Sequence, residues 1–286
     1  MSAPPVYDVL GRSYARVRRA DPRLEQAIWR ALGDARTVLN VGAGTGSYEP
    51  RDRWVLAVEP SEVMIAQRPP DAAPVITAHV EQLPLADRSV DAAMAILTLH
   101  HWQDLRAGLT ELRRVVRDRI VIVTIDVRQL AQLWIVRDYL PELLGQHMAK
   151  FPSIDELCRL LAGSEVAVLP VPRDCTDGFM AALWARPEAY LDPATRAGTS
   201  PWYELPDHVA DRALERLAAD LRSGAWHTRY ASLLGLPALD VGLRLITTSS
   251  DTRSPGADRL GGVSEHRAAA PAPPSSDEFG QARRST

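Results

Sequence analysis

Residues 37–47 read TVLNVGAGTGS, and this stretch decides the fold. Its first five residues form a short, largely apolar run that ends on glycine, which is typical of a buried parallel strand. The glycines at 42, 44 and 46 follow at once. Because glycine lacks a side chain, such a loop allows positive φ angles and lets the backbone approach a ligand closely. We therefore expect a ligand site at the carboxyl end of the first strand.

Six further runs of the same kind follow along the chain. They occupy residues 54–58, 74–78, 91–97, 120–125, 165–169 and 239–247. Stretches able to form helices lie between them, at 61–67, 104–117, 129–147, 153–162 and 207–222. Strands that alternate with helices indicate βαβ units and a parallel sheet covered on both faces. The sequence thus predicts an α/β fold with a doubly wound, mostly parallel, seven-stranded Rossmann-like sheet.

Other segments flank or interrupt this pattern. Residues 1–34 have helical periodicity and are expected to form an N-terminal helical cover on the main domain, 35–248. An aromatic-rich helical insertion at about 172–236 precedes the last strand. It is placed to cover a site, although packing onto the body is the commoner reason for such aromatic residues. The tail 249–286 is rich in Ser, Pro, Ala and Gly, a composition that predicts disorder.

Composition narrows the choice of partner and compartment. The net charge of −3 on 286 residues argues against nucleic acid, which needs a clustered basic face. The basic runs at 16–19 and 113–119 alternate with apolar residues, which favours exposed faces of amphipathic helices. Cys158 and Cys175 are too few for a disulfide framework. No apolar run reaches the roughly 18–20 residues that cross a membrane, so we expect a soluble, cytoplasmic protein. The sequence does not determine its oligomeric state.

Glu59 closes the second strand-like run, 17 residues after Gly42. A carboxylate at this point can accept hydrogen bonds from both hydroxyl groups of an adenosine ribose, in NAD as in other nucleosides. The dinucleotide fingerprint GxGxxG fails here, because Ser47 occupies its third glycine position. Pro50 and the charged residues around it also leave little room for the helix N-terminus that a pyrophosphate prefers. The pattern therefore favours an adenosine ligand without phosphates and makes an NAD(P)-dependent oxidoreductase a remote alternative.

Longer motifs carry a family resemblance. VLNVGAGTGSYEP at 38–50, followed by VLAVEPSEVMIAQRP at 55–69, resembles motif I and its successor in the class I S-adenosylmethionine-dependent methyltransferases of the small-molecule, type 11-like group. Residues 80–102 resemble that family's third-strand turn and fourth strand, residues 109–124 its fourth helix and fifth strand, and residues 239–247 its last strand. The resemblance covers about 6–170 well. It implies S-adenosylmethionine as the cofactor.

The resemblance also implies which residues form the cofactor site. These are Tyr7, Tyr14, Asn40, Gly42, Ala43, Gly44, Glu59, Pro60, Ser61, Met64, Val80, Glu81, Leu97 and Thr98. The glycines would pass beneath the methionine part, Glu59 would bind the ribose, and the residues after the second and third strands would flank the adenine. The two tyrosines would cover the cofactor carboxylate. Two positions depart from the family pattern: Asn40 stands where most relatives have an acidic residue, and His79 where an aspartate is frequent.

Methyl transfer requires in-line approach of a nucleophile, so positioning and desolvation carry much of the rate. A base is needed only when the acceptor must lose a proton. His100 and His101 follow the fourth strand and are the candidate catalytic residues, with His101 preferred; the alternative is a histidine that shapes the loop. They have no partner set for zinc. Trp134 and Tyr139 belong either to the core or to an acceptor pocket.

The sequence thus predicts a methyltransferase with a small-molecule acceptor, methylated at oxygen or nitrogen. A protein that binds S-adenosylmethionine without methylating remains an alternative, because a fold and a cofactor motif do not fix the reaction. An RNA or protein methyltransferase is the other alternative, although the acidic balance of the chain weakens the RNA version.

Overall fold

The structure is a computed structural model that describes residues 18–145 and 148–248. Tyr7, Tyr14 and the tail 249–286 lie outside the described residues. So does much of the predicted N-terminal cover, of which residues 18–34 are described.

The described strands form a central sheet and one small pair. They are β1 Thr37–Val41, β2 Trp54–Val58, β3 Val75–Ile76, β4 Val90–Ile96, β5 Val116–Ile125, β6 Glu165–Val168, β7 Val171–Pro172, β8 Ala238–Leu239 and β9 Leu243–Thr248. Within the described residues the central sheet has seven strands in the order β3-β2-β1-β4-β5-β9-β6. Strands β1 to β5 pair in parallel, and β9 runs antiparallel to both β5 and β6. The predicted seven-stranded, mostly parallel α/β fold is confirmed.

Helices flank the sheet and fill the insertion. The described α-helices are α1 Pro22–Ala31, α2 Glu62–Ile65, α3 Leu105–Val115, α4 Val127–Leu130, α5 Ile154–Leu160, α6 Pro193–Arg196, α7 Ser200–Glu204, α8 Asp207–Ser223 and α9 Ala225–Leu234. Aspartate or serine side chains cap the first turns of most of them. Asp21, for example, accepts a hydrogen bond from the Arg23 amide at 2.9 Å, which satisfies an amide that has no partner within the helix.

Both faces of the sheet are largely buried along β1, β2, β4 and β5, as expected of parallel strands, whereas the edge strand β6 is exposed. Side chains alternate along β1, so that Val38 joins one apolar cluster while Leu39 and Val41 join the other. The first cluster packs against α1 and the insertion, and the second packs against α3 and α5. This packing fixes the carboxyl ends of the parallel strands at one edge of the sheet.

The structure differs from the sequence prediction at several boundaries. The stretch 129–147 is not one helix: α4 ends at Leu130, a π-helical turn spans Ile135–Tyr139, and a 3-10 turn spans Pro141–Leu144. Pro141 disfavours helical backbone at the residue before it, and Leu140 has φ −132° and ψ 51°. The basic run 113–119 is not a single helical face either, because α3 ends at Val115 and β5 begins at Val116.

Three aromatic side chains of the insertion, those of Tyr190, Trp226 and Tyr230, pack around Trp134 in the core, whereas Tyr203 is exposed. Trp134 is 2% exposed, and its ring meets those of Tyr139, Tyr190, Trp226 and Tyr230 at centroid distances between 5.1 and 5.7 Å. The contacts with Tyr139, Tyr190 and Trp226 are edge-to-face, and such contacts add stability beyond area burial. Trp134 and Tyr139 therefore belong to the core and not to an acceptor pocket.

Candidate active site

The glycine loop after β1 is held against the next strands. The amides of Gly42 and Ala43 donate to the Val58 carbonyl at 2.9 and 3.1 Å. Gly42 has φ +64°, and a Cβ atom placed on it would lie 1.9 Å from Thr98 Oγ1. Both observations require glycine at this position. The loop thus brings the ends of β1 and β4 into direct contact.

Glu59 joins the same loop to the end of β2. Its Oε2 accepts a hydrogen bond from the Gly44 amide at 2.8 Å, and its Oε1 accepts one from the Ser61 amide at 2.9 Å. The residue is 6% exposed and lines the adjoining cavity. A carboxylate offers about four acceptor positions, so it can bind ligand hydroxyl groups in addition to the two amides.

A cavity of about 500 Å³ lies at the carboxyl ends of β1, β2, β3 and β4, where strand order reverses and ligands bind in such folds. Small-molecule sites span about 300–1,000 Å³. Its walls include most of the predicted site residues: Asn40, Gly42, Ala43, Gly44, Glu59, Pro60, Met64, Val80, Glu81, Leu97, Thr98, His100 and His101. The sequence-based residues therefore converge on one cavity.

Ser61 lies behind the cavity wall. Its hydroxyl accepts a hydrogen bond from the Met64 amide at 3.3 Å and caps α2, and the residue is 1% exposed. Its amide binds Glu59, so Ser61 contributes to the site by holding that carboxylate. Glu81 lies in the wall, and its Oε1 accepts from the Gln103 amide at 2.7 Å.

The two histidines form a 3-10 turn, Leu99–His101, directly after β4. Their ring centroids are 3.8 Å apart, and the His100 ring stacks on Phe151 at 4.1 Å. Both line the large cavity. His100 also lines a second, smaller cavity, whereas His101 does not.

This second cavity measures about 70 Å³. It shares Arg18, Leu97 and His100 with the large cavity. Its remaining walls are mainly apolar and include Ile125, Leu130, Met148, Phe151, Phe179 and Met180. The described site therefore consists of a large cavity and a small, mainly apolar branch that meet at Arg18, Leu97 and His100.

Sequence reasoning missed a buried cluster that ties three segments together around the site. Asp177 accepts from Arg18 Nε at 2.6 Å and from the Tyr48 hydroxyl at 2.7 Å. Burial, reinforced by the Asp177 carboxylate, raises the pKa of Tyr48 well above its ordinary value. The phenol therefore stays protonated and donates. Since 129 residues separate Tyr48 from Asp177, no local pattern in the sequence signals this contact.

Two kinds of feature are missing from the part of the chain that the structure describes. None of its helices has both the length and the apolar character needed to span a bilayer. It also holds no group of three or more His, Cys, Asp or Glu side chains arranged to bind a metal ion.

The fold and the site define a class I methyltransferase, and comparison with known proteins agrees. A family model described as a methyltransferase domain matches residues 39–123. The chain is 35% identical in sequence to a protein of Anabaena variabilis whose crystal structure is described as that of a candidate methyltransferase from an antibiotic biosynthesis pathway. The alignment covers 81% of this chain and 98% of that one, with a TM-score of 0.76. The chain belongs to the class I S-adenosylmethionine-dependent methyltransferases, and S-adenosylmethionine is its cofactor.

Curated relatives match over shorter stretches. An uncharacterised methyltransferase of Mycobacterium tuberculosis is 37% identical over 113 residues, which is 37% of this chain and 45% of the relative. The malonyl-acyl-carrier protein O-methyltransferase of Hamiltonella defensa is 28% identical over 132 residues, or 42% of this chain and 50% of the relative. The chain spans about half the length of these curated relatives.

Proposed function

We propose that this chain transfers the methyl group of S-adenosylmethionine to a small-molecule acceptor, at an oxygen or nitrogen atom. The observation that carries the proposal is the junction of two cavities at Arg18, Leu97 and His100. The large one has the size of a nucleoside site, and the small one is mainly apolar. An acceptor with a compact apolar part fits the small branch better than an exposed protein or RNA surface does.

The residues around the large cavity fit the cofactor. Gly42 and Gly44 leave space along one wall that side chains would fill, since a Cβ atom on Gly44 would lie 3.2 Å from Met64 Cε. Glu59 offers carboxylate oxygens for the ribose. When bound, the cofactor supplies a sulfonium-activated methyl group, so the protein mainly has to orient the acceptor and exclude water.

We assign proton acceptance to His100 in preference to His101. His100 lies where the two cavities meet, and stacking on Phe151 fixes its ring. An acceptor hydroxyl or ammonium group that enters from the small branch would pass this imidazole first. His101, which the sequence favoured, lines the large cavity but not the small branch.

Calorimetric titration of the purified protein tests the cofactor step. S-adenosylmethionine and S-adenosylhomocysteine are expected to bind at micromolar concentration, and NAD is not. Binding of NAD alone would overturn the proposal in favour of an oxidoreductase.

Incubation with methyl-labelled S-adenosylmethionine and a metabolite extract tests the transfer. Label is expected in a low-molecular-weight product. Label found only in protein or RNA would overturn the acceptor class, and cofactor binding without any transfer would favour a binding protein.

Replacing each histidine by Gln tests the base. His100→Gln is expected to lower kcat by about 10²–10⁴-fold and to leave the affinity for S-adenosylhomocysteine unchanged. His101→Gln, the matched control on the same turn, should have the smaller effect. The reverse order would return the role to His101.

A further inference from the structure

Asn40 is buried at the end of β1, and its side chain reaches the large cavity. The residue is 2% exposed and forms part of the cavity wall. Its Nδ2 donates a hydrogen bond to Glu49 Oε1 at 3.0 Å. Because an ionised carboxylate only accepts hydrogen bonds, the amide nitrogen and not the amide oxygen must face Glu49. The contact therefore fixes the orientation of the Asn40 amide.

The Glu49 carboxylate also accepts hydrogen bonds from groups other than Asn40. Arg68 Nη2 donates to its two oxygens at 2.8 and 2.9 Å, and the Ala73 amide donates to Oε2 at 3.1 Å. The Arg68 and Glu49 side chains are only 5% and 8% exposed. Arg68 Nη1 also donates to the Gly44 carbonyl at 3.2 Å. A charge-balanced ion pair thus lies beneath the glycine loop and touches Asn40.

The Asn40 oxygen is the atom left for a ligand. Among the described residues, nothing donates a hydrogen bond to Asn40 Oδ1. An amide oxygen in a cavity wall is an acceptor, and it binds charged donors more strongly than neutral ones. S-adenosylmethionine carries one such donor, the ammonium group of its methionine part.

We propose that Glu49 is a positioning residue: by binding Asn40 Nδ2 it presents Oδ1 to the cofactor ammonium. This inference rests on the cofactor site of the proposed function. The carboxylate that most relatives are expected to carry at position 40 is thus replaced by an amide in the wall and a carboxylate behind it. Glu49 touches no cofactor atom and acts only through Asn40.

Glu49→Gln tests the orientation of the amide. The Ala73 amide needs an acceptor at the Oε2 position, where Arg68 also donates. The glutamine oxygen therefore takes that position, and its NH₂ group takes the Oε1 position that faces Asn40. The Asn40 amide then turns over and presents Nδ2, a donor, to the cavity. Affinity for S-adenosylhomocysteine, which keeps the ammonium, is expected to fall about tenfold, in line with loss of one charged hydrogen bond. Affinity for 5′-methylthioadenosine, which lacks the amino-acid part, should not change.

A matched control uses the exposed Arg51–Asp71 pair, 3.3 Å apart at the surface. Asp71→Asn should leave the affinity for both ligands unchanged. An equal loss for both ligands in Glu49→Gln would show that Glu49 only supports the loop, and no loss for either would also overturn the inference.

A charge swap gives an independent test. Asn40→Asp places two carboxylates about as close as the present 3.0 Å contact, and like charges at that distance oppose ionisation of both. This variant should bind S-adenosylhomocysteine more weakly than wild type does. In Asn40→Asp with Glu49→Gln, the glutamine NH₂ donates to the new carboxylate, and affinity should return to within about threefold of wild type. Failure of the double variant to recover would overturn the inference.

Failures of the two proposals are distinguishable. Wild-type protein that binds S-adenosylhomocysteine with the predicted variant pattern but transfers no methyl group would overturn the transfer and support the role of Glu49. Wild-type protein that binds neither adenosine ligand would overturn both.

Discussion

Gly42 meets two demands at once, a positive φ angle and contact with Thr98. Gly224 meets only the first, with φ +78° and no atom within 4 Å of an added Cβ. The pair therefore separates backbone strain from steric overlap.

Gly42→Ala is expected to cost more stability than Gly224→Ala. The second change carries only the left-handed penalty of about 1–2 kcal/mol. The first adds overpacking of about 1–3 kcal/mol and should also weaken S-adenosylhomocysteine binding. Denaturant unfolding of both variants measures the difference, and equal losses would contradict the contact with Thr98. Adding Thr98→Gly to Gly42→Ala should recover part of the loss.

Glu59→Gln is expected to weaken S-adenosylhomocysteine binding by about ten- to a hundredfold, as for loss of charge-assisted hydrogen bonds. The NH₂ group of glutamine would also face one of the two backbone amides that now donate to Glu59. Glu62→Gln is the matched control, because Glu62 is exposed on α2. Calorimetry on both variants checks this, and an unchanged affinity in Glu59→Gln would place the ribose elsewhere.

At the scale of elements, the start of α1 is fastened to residues 174–177. Asp21 caps the helix and accepts from the Thr176 amide at 3.0 Å, while Arg23 reaches Asp174 at 2.7 Å. Burial alone would raise the pKa of Asp21. Hydrogen bonds from Arg23 and Thr176 outweigh it, so this pKa lies well below its ordinary value.

The lowered pKa predicts how stability depends on pH. The ionised form of Asp21 is stabilised in the folded state relative to the unfolded state. Its contribution to the free energy of unfolding is therefore complete above the ordinary pKa near 4 and is lost as pH falls below that value. Between about pH 4 and pH 2, the free energy of unfolding of wild type should decline more steeply than that of Asp21→Asn, by on the order of 2 kcal/mol. Asp174→Asn, a change at an exposed partner, should keep most of the wild-type slope. Parallel slopes in wild type and Asp21→Asn would contradict the assignment.

Local patterns determined most of what could be predicted about the elements. The run 37–41 and its glycines lie next to each other in the sequence, and Glu59 directly follows the neighbouring strand, so the strand pattern and the glycine loop together predicted where the cavity lies. The path of 129–147 was not predictable, because its aromatic side chains contact residues that follow much later in the chain. Trp134 packs on Tyr190 and Tyr230, and Tyr139 contacts Arg216 and Asp220. The Asn40–Glu49–Arg68 network was missed because it depends on how the loop folds back under itself.

At the scale of the whole molecule, the two cysteines report on the integrity of the fold. Cys175 is buried, and burial raises the pKa of its thiol to about 12. Cys158, on α5, is partly exposed.

Native protein treated with iodoacetamide at pH 8 is expected to be modified at Cys158 and not at Cys175, because the thiolate is the reactive form. Denatured protein should be modified at both. Peptide mass spectrometry checks the sites, and rapid native modification of Cys175 would contradict its place in the core.

The order of the strands also determines which parts of the sheet can form first during synthesis. β9 is the last strand of the described residues, yet it lies between β5 and β6. Chains emerge from the ribosome at about 5–20 residues per second, so the 80 residues from Val168 to Thr248 take about 4–16 s. During that interval β1 to β5 can already pair and form the glycine loop. β6 cannot yet join the sheet, because its pairing partner among the described strands is β9. A nascent chain should therefore form the cofactor half of the sheet first and remain open along the β5 edge until β9 has been synthesised.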